Sequence, residues 1–210
     1  MTRFIVVRHG ETQWNVDSRI QGHTDSELTA TGQRQAEALA RRLERESFDA
    51  MVSSDLGRAL STARIIARRT RHDPVVADPR FRERCFGEGE GLTYGELDHQ
   101  YPEVFSKVRE TDPDYCIPGG ESRRQFYERV QASFEALAAE RRGQRVLVVA
   151  HGGVLASLYR VIHRLGITTP YNIPIVNASY NAAAFDAGAW TVEAWADTAH
   201  LGETALFEEL

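Results

Sequence analysis

The segment Phe4-Ile5-Val6-Val7-Arg8-His9-Gly10-Glu11-Thr12 decides the fold of this chain. Its four apolar residues, which run into polar residues and a glycine, predict a buried β-strand. In open α/β sheets, ligands bind just beyond the carboxyl ends of such strands. Arg8 and His9 are therefore predicted to stand where ligands bind. Arginine offers a fork of donors for phosphate or carboxylate, and histidine offers a nitrogen nucleophile or a proton shuttle.

The same pattern occurs again later in the chain. Arg145 to Ala150 is predicted to form a second buried strand, and His151-Gly152-Gly153 follows it directly. A third strand is predicted from Phe48 to Val52. It is followed by Ser53-Ser54-Asp55, three residue types that commonly cap helices, and Arg58 falls in the first turn of the helix predicted after them.

These three strands bring three side chains together if they lie parallel and adjacent. In that arrangement His9, His151 and Arg58 converge at one edge of the sheet, because the carboxyl ends of parallel strands share an edge. The N-terminus of the helix that carries Arg58 points to the same place, which favours an anion.

Strand and helix patterns alternate along the chain, which predicts an α/β fold. We expect a three-layer α/β/α sandwich with a mainly parallel central sheet and helices on both faces. Helices are predicted to begin at about Gly32 and at Ser122, and others to span Leu56–Thr70 and Val154–Leu165. Two short helices are predicted between Thr93 and Arg109, with a break near Pro102. The other predictions are a short strand at Pro74–Ala77, loops at Arg80–Thr93 and Asp112–Gly120, and a terminal hairpin of Ser179–Phe185 with Trp190–Trp195.

The composition limits the classes of function. A chain of 210 residues that is 42% hydrophobic fits one domain over residues 1–210 with a substantial core. The formal net charge of -5 does not suggest a nucleic-acid-binding protein. No apolar run reaches the ~18 residues of a membrane span, and no signal peptide is recognisable, so we expect a cytoplasmic protein without a membrane partner. A homodimer is compatible with this composition.

Two histidines could also bind a metal, but no third ligand lies at a suitable spacing from either of them. A neighbouring arginine would also repel a cation, so no metal is expected. Other phosphate chemistries lack their motifs: no nucleotide P-loop is present, and neither Cys85 nor Cys116 has an arginine six residues later. Asp112-Pro113-Asp114-Tyr115 follows a polar helix end rather than a buried strand, so we interpret it as a turn and not as an aspartyl-phosphate motif.

A histidine nucleophile needs an acid that protonates the departing oxygen. Four carboxylates are candidates for this role: Glu11, Glu83, Glu88 and Glu90. The residues alone do not choose among them.

The run Arg8-His9-Gly10-Glu11-Thr12-Gln13-Trp14-Asn15 resembles the motif of the histidine phosphatase superfamily, which includes the cofactor-dependent phosphoglycerate mutases. Further segments similar to this family lie in order along nearly the whole chain. They are Leu28-Thr29 with Gly32, Ser53-Ser54 with Arg58-Ala59 and Thr62-Ala63, Arg82-Glu83 with Phe86-Gly87 and Glu90-Gly91-Leu92, Pro118 to Ser122, Val149 to Gly153, and Asp197 to Leu201.

The resemblance implies the phosphoglycerate mutase-like fold and a role for each matched residue. His9 is the implied nucleophile that becomes phosphohistidine, and Glu83 is the implied general acid and then base. The implied ligands of the phosphoryl oxygens are Arg8, Arg58 and His151, and the implied substrate-binding residues are Asn15, Gln21, Gly22 and Gly152. No metal is required, because fixed donors stabilise the transferred charge.

The stretch from Leu92 to Pro118 bears on the reaction type. In mutases of this family, the corresponding stretch contains an insertion with basic residues, whereas here it is short and offers only Lys107 and Arg109. This favours a cofactor-free phosphomonoesterase, a short phosphatase-type member, that acts on a small phosphorylated metabolite. The alternative is a phosphoglycerate mutase primed by 2,3-bisphosphoglycerate, and the third hypothesis is a non-catalytic module that binds a phosphorylated ligand. The sequence does not identify the substrate.

Overall fold

The structure is a computed structural model that describes residues 1–109, 112–169, 172 and 175–202. Within these residues, six strands form one sheet in the order β3-β2-β4-β1-β5-β6. Strands β1 to β4 run parallel to one another, and the antiparallel hairpin of β5 and β6 pairs with β1 in antiparallel orientation. The strands are β1 (Thr2–Arg8), β2 (Ala50–Ser53), β3 (Val75–Ala77), β4 (Arg145–Ala150), β5 (Tyr180–Asp186) and β6 (Ala189–Asp197).

Apart from one short helix at Gln13–Val16, which the sequence did not predict, the helices follow the predicted pattern with ends that differ by a few residues. They are α1 (Gln13–Val16), α2 (Ala30–Leu43), α3 (Gly57–Thr70), α4 (Tyr94–Gln100), α5 (Pro102–Arg109), α6 (Arg123–Glu140) and α7 (Gly152–His163). The predicted capping box of α6 is present, since the Ser122 and Gln125 side chains each bind the other's backbone N–H. The segment predicted as a loop from Arg80 to Thr93 contains most of one 3₁₀ turn and all of a second, Pro79–Phe81 and Gly87–Gly89.

The core has two parts, one on each face of the sheet. Alternate residues of β1 point to opposite faces: Phe4 and Val6 contact α6 and α7, whereas Ile5 and Val7 contact α2 and α3. Strands β2 and β4 alternate in the same way, because strands buried on both faces carry apolar residues throughout. The predicted three-layer α/β/α architecture is confirmed.

The sheet topology places the carboxyl ends of β1, β4 and β2 at one edge. In the parallel register, Arg8 pairs with Ala150, and Val149 pairs with Ser53. The residues that follow these strands, His9 and His151 among them, therefore leave the sheet side by side.

The predicted cap of α3 is wrong. Leu56 occupies the N-cap position and makes no side-chain cap. Instead, the carboxylate of Asp25, 33 residues earlier than Arg58, accepts hydrogen bonds from the backbone N–H groups of Gly57 and Arg58. A residue from a distant loop therefore accepts the hydrogen bonds of the free backbone N–H groups in the first turn of the helix.

No helix in the described part of the chain is long and apolar enough to cross a membrane. Cys85 and Cys116 are free thiols.

Candidate active site

His9 follows β1 directly and is almost completely buried. Its backbone N–H donates to the carbonyl of Ala150 on the neighbouring strand at 3.0 Å. Its Nδ1 lies 2.8 Å from the Gly10 carbonyl, which only accepts hydrogen bonds, so Nδ1 carries the proton and Nε2 carries a lone pair. Burial, together with the charges of Arg58 and Arg8, lowers the pKa of His9 well below its usual value. The ring is therefore neutral near pH 7 and its Nε2 is nucleophilic.

His151 lies beside this ring as predicted, with 5.2 Å between the ring centroids. Its Nε2 is 2.8 Å from the hydroxyl of Ser54, which also accepts the backbone N–H of Leu56. Its Nδ1 is buried and has no hydrogen-bond partner among the residues that the structure describes. If the Ser54 hydroxyl donates to Nε2, then Nδ1 carries the proton and is a donor for a ligand.

Arg58 lies on the first turn of α3 and is fully buried. Its Nη1 donates to the carbonyl of Thr24 at 2.9 Å and to the carboxylate of Asp25 at 3.0 Å, and its Nη2 donates to the carbonyl of Gly22 at 2.7 Å. Its Nε is buried and has no partner within the described residues. This pattern leaves the N–H of Nε and one N–H of Nη2 as donors for the oxygens of a phosphoryl group.

Arg8, at the end of β1, is also buried, and its Nη1 donates to the Ile175 carbonyl at 2.6 Å. Gly152 packs beside it, since a β-carbon at that position would lie 3.4 Å from Arg8 Nε. The charges of Arg8 and Arg58 both act on the two histidines, which places all four side chains in one electrostatic environment.

Of the remaining predicted binding residues, Asn15 lies on α1, and Gln21 and Gly22 lie on the loop that follows this helix. Thr12 Oγ1 lies 3.1 Å from Asn15 Oδ1 and 3.1 Å from Gln21 Oε1, so one hydroxyl joins both amides. Gly22 follows in the left-handed region, with φ of 56°, and its carbonyl accepts the bond from Arg58. The predicted residues are therefore held around His9 by a connected network.

Sequence reasoning missed Asn177. Its Nδ2 donates to the His9 carbonyl at 3.0 Å and lies 3.4 Å from Asn15 Oδ1, and the side chain is buried. It therefore fixes the backbone of His9 relative to α1, the short helix that carries Asn15. The residue lies in a connection without helix or strand periodicity, so no sequence pattern marks it.

Glu83 is the only one of the four candidate carboxylates held against the residues that follow β4. Its Oε2 accepts the backbone N–H of Gly153 at 2.9 Å, and its Oε1 accepts that of Arg84 at 2.8 Å. A β-carbon at Gly153 would lie 2.2 Å from Glu83 Oε1, so only glycine permits this approach.

The other three carboxylates have different surroundings. Glu11 is buried and accepts the Thr29 hydroxyl at 2.5 Å. Glu90 accepts the backbone N–H groups of three residues of the surrounding loops, namely His23, Thr24 and Phe86. Glu88 is exposed. The geometry therefore favours Glu83 as the proton donor at this site.

The described part of the chain contains no group of three or more His, Cys, Asp or Glu side chains able to hold a metal ion. The charges that act on the pKa of His9 are those of the cationic side chains of Arg58 and Arg8. The donor set therefore suits an anion.

The two buried neutral histidines are expected to make the free energy of unfolding fall as the pH drops below about 6.5. Burial lowers the pKa of both His9 and His151 in the folded state, so below that pH the unfolded chain binds more protons. Each histidine contributes a slope of up to about 1.4 kcal/mol per pH unit between its folded and unfolded pKa values. Urea unfolding between pH 7 and pH 5 measures this slope.

The matched variants for this measurement are His151→Asn and His99→Asn. His151→Asn is expected to lower the slope by one histidine's share, whereas replacing the exposed His99 leaves it unchanged. An unchanged slope in His151→Asn would show that this ring does not stay neutral in the folded protein.

Comparison with known proteins agrees with this geometry. Residues 4–198 match the model of the histidine phosphatase superfamily (branch 1). Phosphoglycerate mutase-like protein 4 of Arabidopsis thaliana is 39% identical, with 97% of this chain and 89% of that protein covered. The metal-independent phosphoserine phosphatase of the same plant is 37% identical, with coverage of 99% and 87%.

A solved structure shows the same fold. The alpha-ribazole phosphatase of Shigella flexneri superposes with a TM-score of 0.86 at 29% identity, and 93% of this chain and 96% of that chain are covered. The chain belongs to the histidine phosphatase superfamily.

Proposed function

We propose that this protein is a metal-independent phosphomonoesterase that acts on a small phosphorylated metabolite through a phosphohistidine intermediate. The observation that carries the proposal is the state of His9, whose Nδ1 proton is engaged by the Gly10 carbonyl while its Nε2 keeps a lone pair next to Arg58 and His151. Two similar proteins are named as phosphatases, one for phosphoserine and one for alpha-ribazole phosphate, which supports hydrolysis.

In the first step, the lone pair of His9 Nε2 forms a bond to phosphorus, and the bond between phosphorus and the leaving oxygen breaks. Protonated Glu83 donates its proton to that oxygen, so the leaving group departs as an alcohol. The hydrogen bonds from the backbone N–H groups of Gly153 and Arg84 hold the Glu83 carboxyl group in place for this transfer.

In the second step, the Glu83 carboxylate removes a proton from water as the water oxygen bonds to phosphorus. The bond between phosphorus and His9 Nε2 breaks, orthophosphate is released, and both side chains return to their starting states. Arg8, Arg58 and His151 donate to the equatorial oxygens in both steps. These donors are already fixed by protein partners such as Ser54 and Gly22, so little reorganisation accompanies the reaction.

The substrate-binding role is assigned to Asn15, Gln21, Gly22 and Gly152. The Asn15 Oδ1 is engaged by Thr12, which leaves its Nδ2 as a donor for a phosphoryl oxygen. Gly22 and Gly152 bring backbone close to the pocket without a side chain. The described residues share one six-stranded sheet with a core on each of its faces, which supports a single domain over residues 1–210.

A phosphoglycerate mutase primed by 2,3-bisphosphoglycerate is the second candidate, because one similar protein is named phosphoglycerate mutase-like. The two reactions differ in the acceptor of the phosphoryl group, which is water in one and a phosphoglycerate in the other. With 3-phosphoglycerate and catalytic 2,3-bisphosphoglycerate, we expect release of orthophosphate and no accumulation of 2-phosphoglycerate. Bisphosphoglycerate-dependent isomerisation faster than hydrolysis would favour the mutase.

A panel of phosphorylated metabolites assayed with and without excess EDTA tests the proposed function. We expect release of orthophosphate from part of the panel, with kcat/KM unchanged by the chelator, because arginine and histidine donors replace the metal in stabilising charge. Loss of activity on chelation that Mg²⁺ restores would contradict metal independence. Absence of hydrolysis from every ester, an aryl phosphate included, would contradict the proposed function itself.

A further inference from the structure

Glu83 lies in a stretch that belongs to neither a helix nor a strand, between the 3₁₀ turns Pro79–Phe81 and Gly87–Gly89. Carbonyl groups in such a stretch receive no hydrogen bonds from a helix or a sheet, so they need other partners where water is kept out. The proposed proton transfer requires the Glu83 carboxyl group to stay at the leaving oxygen. The contacts that hold this stretch therefore bear on turnover.

One side chain of α6, that of Arg129, supplies partners to this stretch. Its Nη1 donates to the carbonyls of Arg80 at 2.9 Å and Arg82 at 3.1 Å. Its Nη2 donates to the carbonyl of Glu83 itself at 3.1 Å. The second N–H of Nη2 and the N–H of Nε donate to the two carboxylate oxygens of Glu121, each at 2.8 Å. The protein therefore uses all five N–H donors of this guanidinium, which leaves none for a substrate.

The bond to Glu121 extends these contacts to the residue after Arg84. Glu121 Oε2 also accepts the backbone N–H of Cys85 at 3.0 Å, and the backbone N–H of Glu121 donates to the Cys85 carbonyl at 2.8 Å. Arg129 and Glu121 together therefore fix the main chain on both sides of Glu83.

His23 holds the same carbonyl from the loop after α1. Its Nε2 lies 2.9 Å from the Glu83 carbonyl oxygen, which only accepts hydrogen bonds, so Nε2 is the donor. The Glu83 carbonyl thus accepts one bond from this loop and one from α6. A carbonyl held from two separate elements keeps its peptide plane in one orientation.

Packing restricts Arg129 as well. Its side chain is 25% exposed, and its guanidinium carbon lies 5.1 Å from the centre of the Phe126 ring. The Phe126 ring in turn packs against Gly153, because a β-carbon at that position would lie 3.0 Å from Phe126 Cε1. Gly153 is the residue whose N–H binds Glu83 Oε2. Neighbouring side chains of α6 therefore support Glu83 both at its backbone and beside its carboxyl group.

We propose that Arg129 is a positioning residue for the proton transfer by Glu83. The inference rests on the proposed function, because the placement of Glu83 matters for turnover only if Glu83 protonates the leaving oxygen. Loss of the guanidinium frees three carbonyls and the Glu121 carboxylate, so the stretch shifts. A displacement of about 1 Å can lower a rate by about 100-fold. Binding of the phosphoryl group is expected to persist, since its proposed ligands lie on β1, on α3 and after β4.

Arg129→Gln is the main test. We expect kcat for alkyl phosphates to fall by roughly 10- to 100-fold, because their leaving oxygen needs the proton of a well-placed acid. For p-nitrophenyl phosphate, whose leaving group departs without protonation, we expect a loss of less than about 3-fold. KM is expected to change little for either ester. Circular dichroism and urea unfolding show whether the variant is folded under the assay conditions.

The double variant Glu83→Gln/Arg129→Gln shows whether Arg129 acts through Glu83. Once the acid is absent, its placement has no further effect, so adding Arg129→Gln to Glu83→Gln is expected to cost less than about 2-fold for alkyl phosphates. Arg129→Lys keeps the charge but loses the planar fork that joins the carbonyls, so most of the loss for alkyl phosphates is expected to remain.

Arg124→Gln is the matched control. Arg124 lies on the same helix, and its Nε and Nη2 pair with the two carboxylate oxygens of Asp114 at 2.6 and 3.0 Å. Its replacement therefore removes a similar ion pair from α6 without a change at Glu83, and both classes of ester are expected to react as in the wild type. If Arg129→Gln does not fold, Glu121→Gln replaces it, with a smaller loss that is again specific to alkyl phosphates.

Three results would overturn the positioning role: equal losses for alkyl and aryl phosphates in the folded variant, alkyl turnover at the wild-type level, or the full loss again when Arg129→Gln is added to Glu83→Gln. Failure of the proposed function is recognised separately, because then the wild type itself does not hydrolyse p-nitrophenyl phosphate. The same assays therefore distinguish the two failures.

Discussion

Replacement of His9 by alanine is expected to lower kcat by about 10⁴- to 10⁶-fold, the loss typical of a removed nucleophile. The ring beside it does not replace this nucleophile, since His151 Nε2 is occupied by Ser54. Substrate binding is expected to persist, because Arg8, Arg58 and His151 remain in position. Steady-state kinetics and calorimetric titration with a slow substrate measure the two quantities separately.

The control for this variant is His99→Ala, which removes an exposed histidine from α4 and is expected to leave kcat unchanged. A brief incubation of the wild type with labelled substrate, quenched without acid, is expected to place a base-stable, acid-labile phosphate on His9. Residual activity of His9→Ala near the wild-type level, or label on another residue, would contradict the nucleophilic role.

Glu83→Gln is expected to have the second largest effect, and one that depends on the leaving group. Alkyl phosphates need a proton on the departing oxygen, so their turnover is expected to fall by about 10²- to 10⁴-fold. Activated aryl phosphates leave without protonation, so their loss is expected to be much smaller. The measurement is kcat for a series of esters whose leaving alcohols span a range of pKa values.

Glu88→Gln provides the matched control, because Glu88 lies five residues away in the same segment and is exposed. It is expected to lower the turnover of neither class of ester. Equal losses for alkyl and aryl esters in Glu83→Gln would remove the proton-donor role and leave Glu83 with a structural one at Gly153.

The fold was predictable where apolar runs were continuous and bounded. Strand Arg145–Ala150 agrees residue by residue with the prediction, because a buried parallel strand carries apolar residues on both faces and a His-Gly pair ends it. The start of α3 was not predictable from its neighbours, since its first N–H groups are satisfied by Asp25 from a distant loop. Local capping patterns do not contain such long-range partners.

The candidate site was predictable to the extent that it depends on strand ends. His9 and His151 meet because β1 and β4 pair in parallel register, and each follows its strand directly. The choice of Glu83 required the family resemblance, since four glutamates were equivalent in the sequence and only the contact with Gly153 distinguishes this one. Asn177 depends on tertiary contacts that have no periodic pattern.

The manner in which Arg58 is held has a consequence for turnover. Carbonyls of Gly22 and Thr24 fix its guanidinium before any ligand arrives, so the oxyanion donors form a rigid template for a tetrahedral phosphorus centre. Such a template binds the product orthophosphate as well as the phosphoryl group of the substrate ester. If the proposed function holds, we therefore expect orthophosphate to inhibit the reaction as a competitive product. Only contacts with the alcohol part of the ester distinguish the substrate from the product orthophosphate.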